Sequence, residues 1–531
     1  MARVRRAAQG GARPARGFWR TWVCPALVCA VIVVQQRGYF LEPDRLHGAP
    51  VITETTTIHE PYLFDYGMYA WGLVPVYSLD LLDHRDDPVY QSPEAATRLL
   101  AERGYTLRME YANAMRIGER MVKVMKYPLA LYHRSAAGLS HRGILGTVYA
   151  LGLCLLAFSL CRFAPFPLGV ILPLVFSSSQ FAACDIYLRS LTQTVLIDAA
   201  IFAMALLSPI IFDRRLRTGS LLLRGLLLTS VIVFLMNIRS TISPLYAGIL
   251  LVMLCYRRRS LGWRLAMFVA ILGCHVLVAR LFDAWWGMKY REASAVVEQF
   301  GGQPFRGIRM TYHSVYHSVW CGLADFDHKY GYRWSDNQPE SYAWPILQAQ
   351  GQNVDLGADQ MGYVCGGAYI EYQAGYGKVL EARLRDNIRA DPGWYARIIL
   401  QRVQRILFEN EPARLNVPAI AFTVQLPRAE RAITSVNLPP LALTGPRSPW
   451  PYLAVLALLL IFRLWGYVKL LLLAMPTLAV PLIITTYGGQ QVEFVGHLVL
   501  AAIAVTVALR LAAWPVAALG RRCKRRAACA G

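Results

Sequence analysis

The chain has 531 residues, of which 55% are hydrophobic and 17% charged, and a formal net charge of +22. Soluble domains carry about 25% charged residues and disperse their apolar ones. Here the apolar residues come in long runs, which excludes an ordinary soluble enzyme. The basic residues fall in short clusters between those runs rather than in one patch. That excludes a nucleic-acid binder and matches the way membrane proteins mark their cytoplasmic side.

Residues 1–21 form a basic, Gly/Ala-rich tail without apolar periodicity, read as cytosolic. Trp22–Val34 is apolar but shorter than the ~20 residues a span usually needs. No good small-residue cleavage site follows it, so it is read as an uncleaved signal anchor. Residues 41–143 then form a long first extracytoplasmic loop. Its stretch Ile58–Leu73, IHEPYLFDYGMYAWGL, sets Asp65 among Tyr62, Phe64, Tyr66, Tyr69 and Trp71. Aromatic rings of this kind favour the headgroup level, so Asp65 is poised between lipid and water. The residue reads as a general base acting on a substrate whose partner is lipid-borne; a helix-capping or solvated Asp is the alternative. Further on, Ser92-Pro93-Glu94 signals a helix start. Leu107–Tyr132 mixes methionines with basic residues, as a surface-lying or an ordinary packed amphipathic helix does.

Apolar runs follow at Ile144–Leu160, Leu168–Ala183, Val195–Phe212, Leu221–Met236, Pro244–Tyr256 and Leu265–Phe282. Three more lie at Trp450–Tyr467, Leu470–Tyr487 and Val495–Trp514. With the first, they predict an all-α polytopic membrane protein of about ten transmembrane helices. Residues 22–282 hold spans one to seven and 449–515 hold spans eight to ten. A cytosolic amino end places Arg214-Arg215-Arg217, Arg257-Arg258-Arg259 and the basic tail of residues 516–531 on the same side. Both termini are then cytoplasmic.

Between spans seven and eight, residues 283–448 form a larger, mixed extracytoplasmic segment. It opens with a predicted helix at Arg291–Phe300. Asp391-Pro392 starts another, with Trp394, Ile398, Ile399, Val403, Ile406 and Leu407 on one face. Cys321 and Cys365 are the only cysteines of this segment, out of 11 in the chain. A disulfide between them is expected in that oxidising compartment.

The short outer loops carry Asp185, Arg189, Asn237, Arg239, Gln490, Gln491, Glu493 and His497. Arg239, between two apolar runs with almost no other charge, is read as a clamp for a lipid phosphate with Arg189 as helper. A snorkelling Arg at the headgroups is the alternative. Asp198 and His275 lie within spans, where internal pairing or a hydrogen bond to a neighbouring helix is expected. The stretch Arg309–Asp336 holds His313, His317, Trp320, Asp325 and Asp327. His313 and His317 stand at i, i+4, but the Glu of a metalloprotease helix is absent, so no metal site is assigned. Aromatics interleaved with carboxylates can stack on and hydrogen-bond a sugar, or pack as an aromatic subdomain.

These features together resemble the membrane-embedded glycosyltransferases of the C superfamily, which use polyprenyl-phosphate sugars. The resemblance is architectural and spans nearly the whole chain. In that superfamily a first-loop carboxylate is the catalytic base, and Asp65 in FDYGMY is the match. The segment GGQQVEFVGHLVL is similar to the one before the family's final span, although Val492 and Glu493 stand where the family commonly has an Arg-Tyr pair. HSVWCGLADFDHKYGYRWSD is similar to a stretch in uncharacterised bacterial members. The resemblance implies a bacterial inner-membrane enzyme with an extracytoplasmic active site and inverting transfer. Its partners would be a polyprenyl-phosphate sugar donor, membrane lipids and an acceptor glycan, lipid or protein. Asp65 would be the base, with Glu60 and Glu54 in reserve as base or as ligands of an optional divalent cation. Arg239 and Arg189 would hold phosphate. Tyr69, His313, His317, Trp320, Asp325 and Asp327 would contact sugar or acceptor. A secondary transporter and a non-catalytic envelope assembly protein are the rival expectations.

Overall fold

A computed structural model describes residues 17–41, 141–183, 186, 194–236, 242, 245–299, 315–324, 326, 328–333, 337–352, 354–355, 368–369, 375–408, 413–415, 441–443, 450–474, 496 and 498–512. The described chain is predominantly helical. A π-turn at Trp19–Val23 leads into α1 (Cys24–Leu41). Then come α2 (His141–Phe163), α3 (Phe166–Ser177), α4 (Gln180–Ala183), α5 (Thr194–Ile211), α6 (Thr218–Met236) and α7 (Leu245–Leu254). The long α8 (Leu261–Gln299) precedes α9 (Val315–Leu323), α10 (Asn337–Ala349), α11 (Tyr376–Ala390) and α12 (Pro392–Phe408). The apolar helices α13 (Trp450–Ile461), α14 (Trp465–Ala474) and α15 (Leu498–Ala512) close the chain. Two small sheets accompany them. β1 (Val354–Asp355) pairs parallel with β2 (Ala368–Tyr369), and β3 (Ala413–Leu415) pairs antiparallel with β4 (Leu441–Leu443).

Four helices are long and apolar enough to cross a membrane: Trp19–Phe40, Gly146–Phe163, Thr218–Met236 and Leu261–Phe282. They pack with the shorter apolar helices into one bundle, in which α2 touches α1, α3 and α5. Small residues let these backbones approach, as in membrane helix packing generally. A Cβ added at Gly169 would come 2.6 Å from the Cys161 backbone nitrogen, so only glycine fits between α2 and α3.

Three sequence expectations change in the structure. The run Leu168–Ala183 is interrupted at Ser178–Ser179, where Ser178 N–H and Ser179 N–H close the last turn of α3 on Leu174 and Phe176 carbonyls. The run Trp450–Tyr467 is also broken. Arg463 takes a left-handed backbone (φ 53°), and Leu464 N–H reaches back to the Leu459 carbonyl, 2.7 Å. That 6→1 bond with a left-handed residue before it is a helix-ending Schellman turn, so α14 starts at Trp465. The helix expected at Arg291–Phe300 is the far end of α8, because no proline interrupts the chain after Phe282. Its extension beyond Phe282, to Gln299, is 17 residues, roughly 25 Å of helix.

The bundle has two unlike ends. At one, basic side chains cap the carboxyl ends of helices, where carbonyls lack partners. Arg20 donates to the Cys161 carbonyl (2.8 Å), Arg214 to that of Phe163 (3.0 Å), and Arg258 to that of Asp213 (3.0 Å). Arg257 lies 4.5 Å over the Trp465 ring. The amino-terminal segment and the clusters at 214–217 and 257–259 therefore share one end, as their charge pattern predicts. At the far end, Gln36 Nε2 donates to the Ser177 carbonyl (3.1 Å), and β3 lies against α4. Residues 413–415 of the large polar segment thus sit opposite the basic end.

Candidate functional site

The large polar segment folds around its own core of Trp320, Leu323, Tyr332, Leu347, Tyr376, Leu380, Leu384, Trp394 and Ile398. Helices α9, α10, α11 and α12 supply it; the last three each bury an i, i+3/i+4 stripe on one face, while α9 is buried on all sides from Val319 to Leu323. As expected, α12 begins at Asp391-Pro392: the Asp391 carboxylate accepts a hydrogen bond from the Trp394 backbone N–H at 2.9 Å, an N-cap three residues back. Its buried stripe runs through Trp394, Ile398 and Arg402 rather than through Ile399 and Val403, which are half-buried. The apolar pattern pointed to the flank of that stripe because it passes over a buried arginine. Ile406 and Leu407 carry side chains outside the described residues.

Five aromatic rings form a continuous chain through this core. Tyr342 meets Trp320 (4.9 Å between centroids), and Trp320 meets Tyr332 edge to face (4.7 Å). Tyr332 stacks on Trp394 (6.0 Å), and Trp394 meets Tyr330 edge to face (5.1 Å). A cation covers each end: the Arg383 guanidinium lies 5.8 Å from the Tyr342 ring and the Lys329 ammonium 5.1 Å from that of Tyr330. Tyr330 is held in the left-handed region (φ 63°), followed by Gly331 at φ 80°, so the tight turn presents its ring at the surface.

Polar side chains lock the rings. Trp320 Nε1 donates to Gln338 Oε1 (2.9 Å), which also accepts the Arg333 backbone N–H (2.7 Å), while Gln338 Nε2 donates to the Gly331 carbonyl (2.6 Å). Asn387 Nδ2 donates to the Tyr332 hydroxyl at 2.8 Å. Burial pushes the Tyr332 hydroxyl above its ordinary range, and the Asn387 hydrogen bond partly offsets that. Lys329 pairs with Asp391. The hydrogen bond from Lys329, then that from the Trp394 N–H, holds the Asp391 carboxyl below its ordinary value, and Asp391 in turn raises Lys329.

Two of the sequence-named sugar or acceptor residues fall in this core. Trp320 is 4% exposed, and His317 is 2% exposed with its Nδ1 2.6 Å from the Tyr376 hydroxyl. In this conformation both support the ring chain from within. The ring chain's accessible ends are Tyr330 with Lys329, and Tyr342 with Arg383. Asp65, Glu60, Glu54, Tyr69, Arg189, Arg239, His313, Asp325 and Asp327 lie outside the described residues. So do Asp185, Asn237, Gln490, Gln491, Glu493, His497, the helices expected within 92–132, and Cys365. Cys321 is buried in the same core. Among the described residues no three His, Cys, Asp or Glu side chains converge as a metal site. Sequence reading passed over Gln338, Asn387 and Arg402, since no spacing rule ties a polar residue to a partner 18 or 55 residues away.

Of the two titratable residues expected to pair inside the bundle, one does. His275 Nδ1 lies 2.7 Å from the Tyr246 hydroxyl on α7. Asp198 is fully buried on α5, and among the described residues neither of its carboxylate oxygens has a hydrogen-bond partner. The expectation of internal pairing is corrected there.

Comparison of the chain with protein-family models, with curated proteins and with solved structures finds no match.

Proposed function

We propose that the chain is an integral-membrane glycosyltransferase that moves a sugar from a polyprenyl-phosphate donor to an acceptor at the extracytoplasmic face, with inversion. The bundle would hold about ten spans, with the basic end cytoplasmic. One observation supports the reading above others. Both long polar segments leave the bundle at the end opposite the arginine caps: α1 delivers the chain into residues 42–140 beside Ser177, and β3 of the large segment lies against α4. A first-loop carboxylate and the aromatic subdomain would then share one side of the membrane.

The chemistry needs few groups. A polyprenyl phosphate leaves as a stable anion, so the transition state calls for cations at the phosphate rather than a paired acid. Arg239 and Arg189 would supply them. Asp65 would take the proton of the acceptor hydroxyl as its oxygen bonds to the anomeric carbon and the phosphate oxygen departs. Glu60 and Glu54 are the reserve carboxylates, as base or as ligands of an optional divalent cation.

The test is turnover of a labelled polyprenyl-phosphate sugar by purified full-length protein. Asp65→Asn should lower the rate by ~10²–10⁴ and leave donor binding intact. Arg239→Ala should weaken donor binding as well, while Asp80→Asn and Asp83→Asn behave as wild type. Near wild-type turnover by a folded Asp65→Asn variant would remove Asp65 from the mechanism. Cation-driven solute uptake into liposomes, without release of polyprenyl phosphate, would replace the enzyme with a transporter.

A further inference from the structure

The far third of the bundle carries polar chemistry that a glycosyl transfer at the surface leaves unused. Asp198 is 1% exposed, and both its carboxylate oxygens lack a hydrogen-bond partner among the described residues. A buried charge does not persist in that way: it is paired, neutralised or bound to a cation.

The helix register locates the group. A Cβ added at Gly152 of α2 would come 3.1 Å from the Phe202 ring and 3.2 Å from Ile201 Cγ2. Asp198 precedes Ile201 by three residues and Phe202 by four, so it occupies the same face of α5 one turn earlier. Tyr149 precedes Gly152 by three residues on α2. The two helices run parallel, since Arg224 donates to the Leu206 carbonyl near the end of α5 and lies over Phe163 at the end of α2. Asp198 therefore faces α2 at the level of Tyr149.

Tyr149 leads to a belt of oxygens. Its hydroxyl donates to the Phe176 carbonyl at 2.7 Å, on the last turn of α3. That helix stops at Ser178, so its carboxyl end carries partial negative charge inside the bundle. Around it, Ser177 Oγ donates to Gln35 Oε1 (2.8 Å), and Gln36 Nε2 donates to the Ser177 carbonyl and hydroxyl, both 3.1 Å. Carbonyl-bearing carboxyl ends of interrupted helices are one means by which membrane proteins hold sodium ions or protons.

We propose that Asp198 is an intramembrane site for one monovalent cation, a proton or a sodium ion, completed by the oxygen-rich carboxyl end of α3 around Tyr149 and Ser177. A single carboxylate balances a single positive charge, and Asp198 is the only Asp or Glu among the described residues of helices α1 to α7. No competing ion pair faces it among those residues. The only charged residue of α6, Arg224, is at the basic end, as are Lys469 and Tyr467 of α14. Tyr246 of α7 is bonded to His275 of α8. The site does not rest on the glycosyltransferase reading, which uses Asp65 as base and Arg239 with Arg189 as phosphate clamp.

Two arms test it on purified full-length protein in detergent. In the sodium arm, thermal midpoints are compared in sodium chloride and choline chloride at equal ionic strength; a bound ion raises the midpoint by mass action. In the proton arm, sodium-free protein at about pH 8, where an ordinary Asp is ionised, is treated with dicyclohexylcarbodiimide, which modifies protonated carboxyls in apolar surroundings. Mass spectrometry then reads the peptide that contains Asp198. The expected result is a sodium-dependent rise in the midpoint, or an adduct at Asp198, and the loss of whichever is seen in the near-isosteric Asp198→Asn. A folded wild type with neither response overturns the site, and so does a sodium response undiminished in Asp198→Asn without an adduct. Should Asp198→Asn fail to fold, the wild-type adduct decides: its presence supports the site and its absence, with no sodium shift, ends it.

Discussion

Lys469 Nζ lies 2.8 Å from Asp213 Oδ2 and 3.1 Å from the Ile210 carbonyl oxygen, fastening α14 to the turn after α5. Asp213 adopts a left-handed backbone (φ 51°) there, and Arg214 N–H closes the turn on the Pro209 carbonyl at 2.7 Å. The Arg257 N–H reaches the other Asp213 oxygen at 3.3 Å. One carboxylate thus ties together three segments at the basic end of the bundle.

The two partners are not equally replaceable. Lys469 is 2% exposed, whereas the Asp213 side chain is 24% exposed and can rewet. Asp213→Asn leaves a buried ammonium without its counter-charge and should cost about 3–5 kcal/mol. Lys469→Met leaves a carboxylate that water and the Arg257 N–H still serve, and should cost about 1–3 kcal/mol. Denaturant unfolding in detergent measures both. The double variant should be more stable than Asp213→Asn alone; equal losses for the two single variants would contradict the asymmetry.

The orientation is testable directly. Reporter fusions near residues 216, 258 and 524 should read as cytoplasmic, and those near 90, 330 and 420 as extracytoplasmic. The caps from Arg20, Arg214 and Arg258 join α1, α2, the turn after α5 and the turn before α8 at one end, so a single inverted reporter among 216 and 258 would conflict with the packing.

In the aromatic subdomain, Trp394→Ala removes the buried ring that joins Tyr332 to Tyr330 and should cost about 3–5 kcal/mol. Tyr332→Phe keeps the ring but strands the buried Asn387 amide, at a cost of about 1–3 kcal/mol. Limited proteolysis should show new cleavage within 315–408 for Trp394→Ala while α2, α5 and α6 stay protected. Loss of the whole protein with Trp394→Ala would mean that the subdomain and the bundle fold as one unit.

The Lys329–Asp391 pair predicts a pH window. Asp391 sits below its ordinary value when folded, so its contribution is present above about pH 4 and fades as acid protonates it through the lower folded value. Lys329 sits above its ordinary value, so its contribution is complete below about pH 10 and fades as pH rises through the higher folded value. Asp391→Asn keeps an N-cap side chain but loses the charge. Its subdomain melting, followed by tryptophan fluorescence, should lose the acid dependence seen in wild type. An unchanged acid limb would assign that limb to other carboxylates.

By itself the sequence determined the predominantly helical character of this protein, the positions of most apolar helices, and the gathering of arginines at one end. Those features follow from local composition: a run long and apolar enough to cross a membrane satisfies its own backbone as a helix, and basic residues cluster beyond the ends of such runs. The start of α12 was legible for the same local reason, since Asp391 caps a backbone N–H three residues on. Where helices break was not legible. Ser178 and Arg463 interrupt runs read as single spans; each run holds a polar interruption, Ser177–Gln180 in one and Arg463 in the other, and partners such as Gln36 and turn geometry that no apolar count registers make it a break. Tertiary structure alone decided that Trp320 and His317 belong to a packed core, that Arg402 lies on the buried stripe, that Lys469 finds Asp213, and that Asp198 finds no partner. Each of these depends on which distant side chain arrives within hydrogen-bonding distance, and packing in three dimensions sets that, not spacing along the chain.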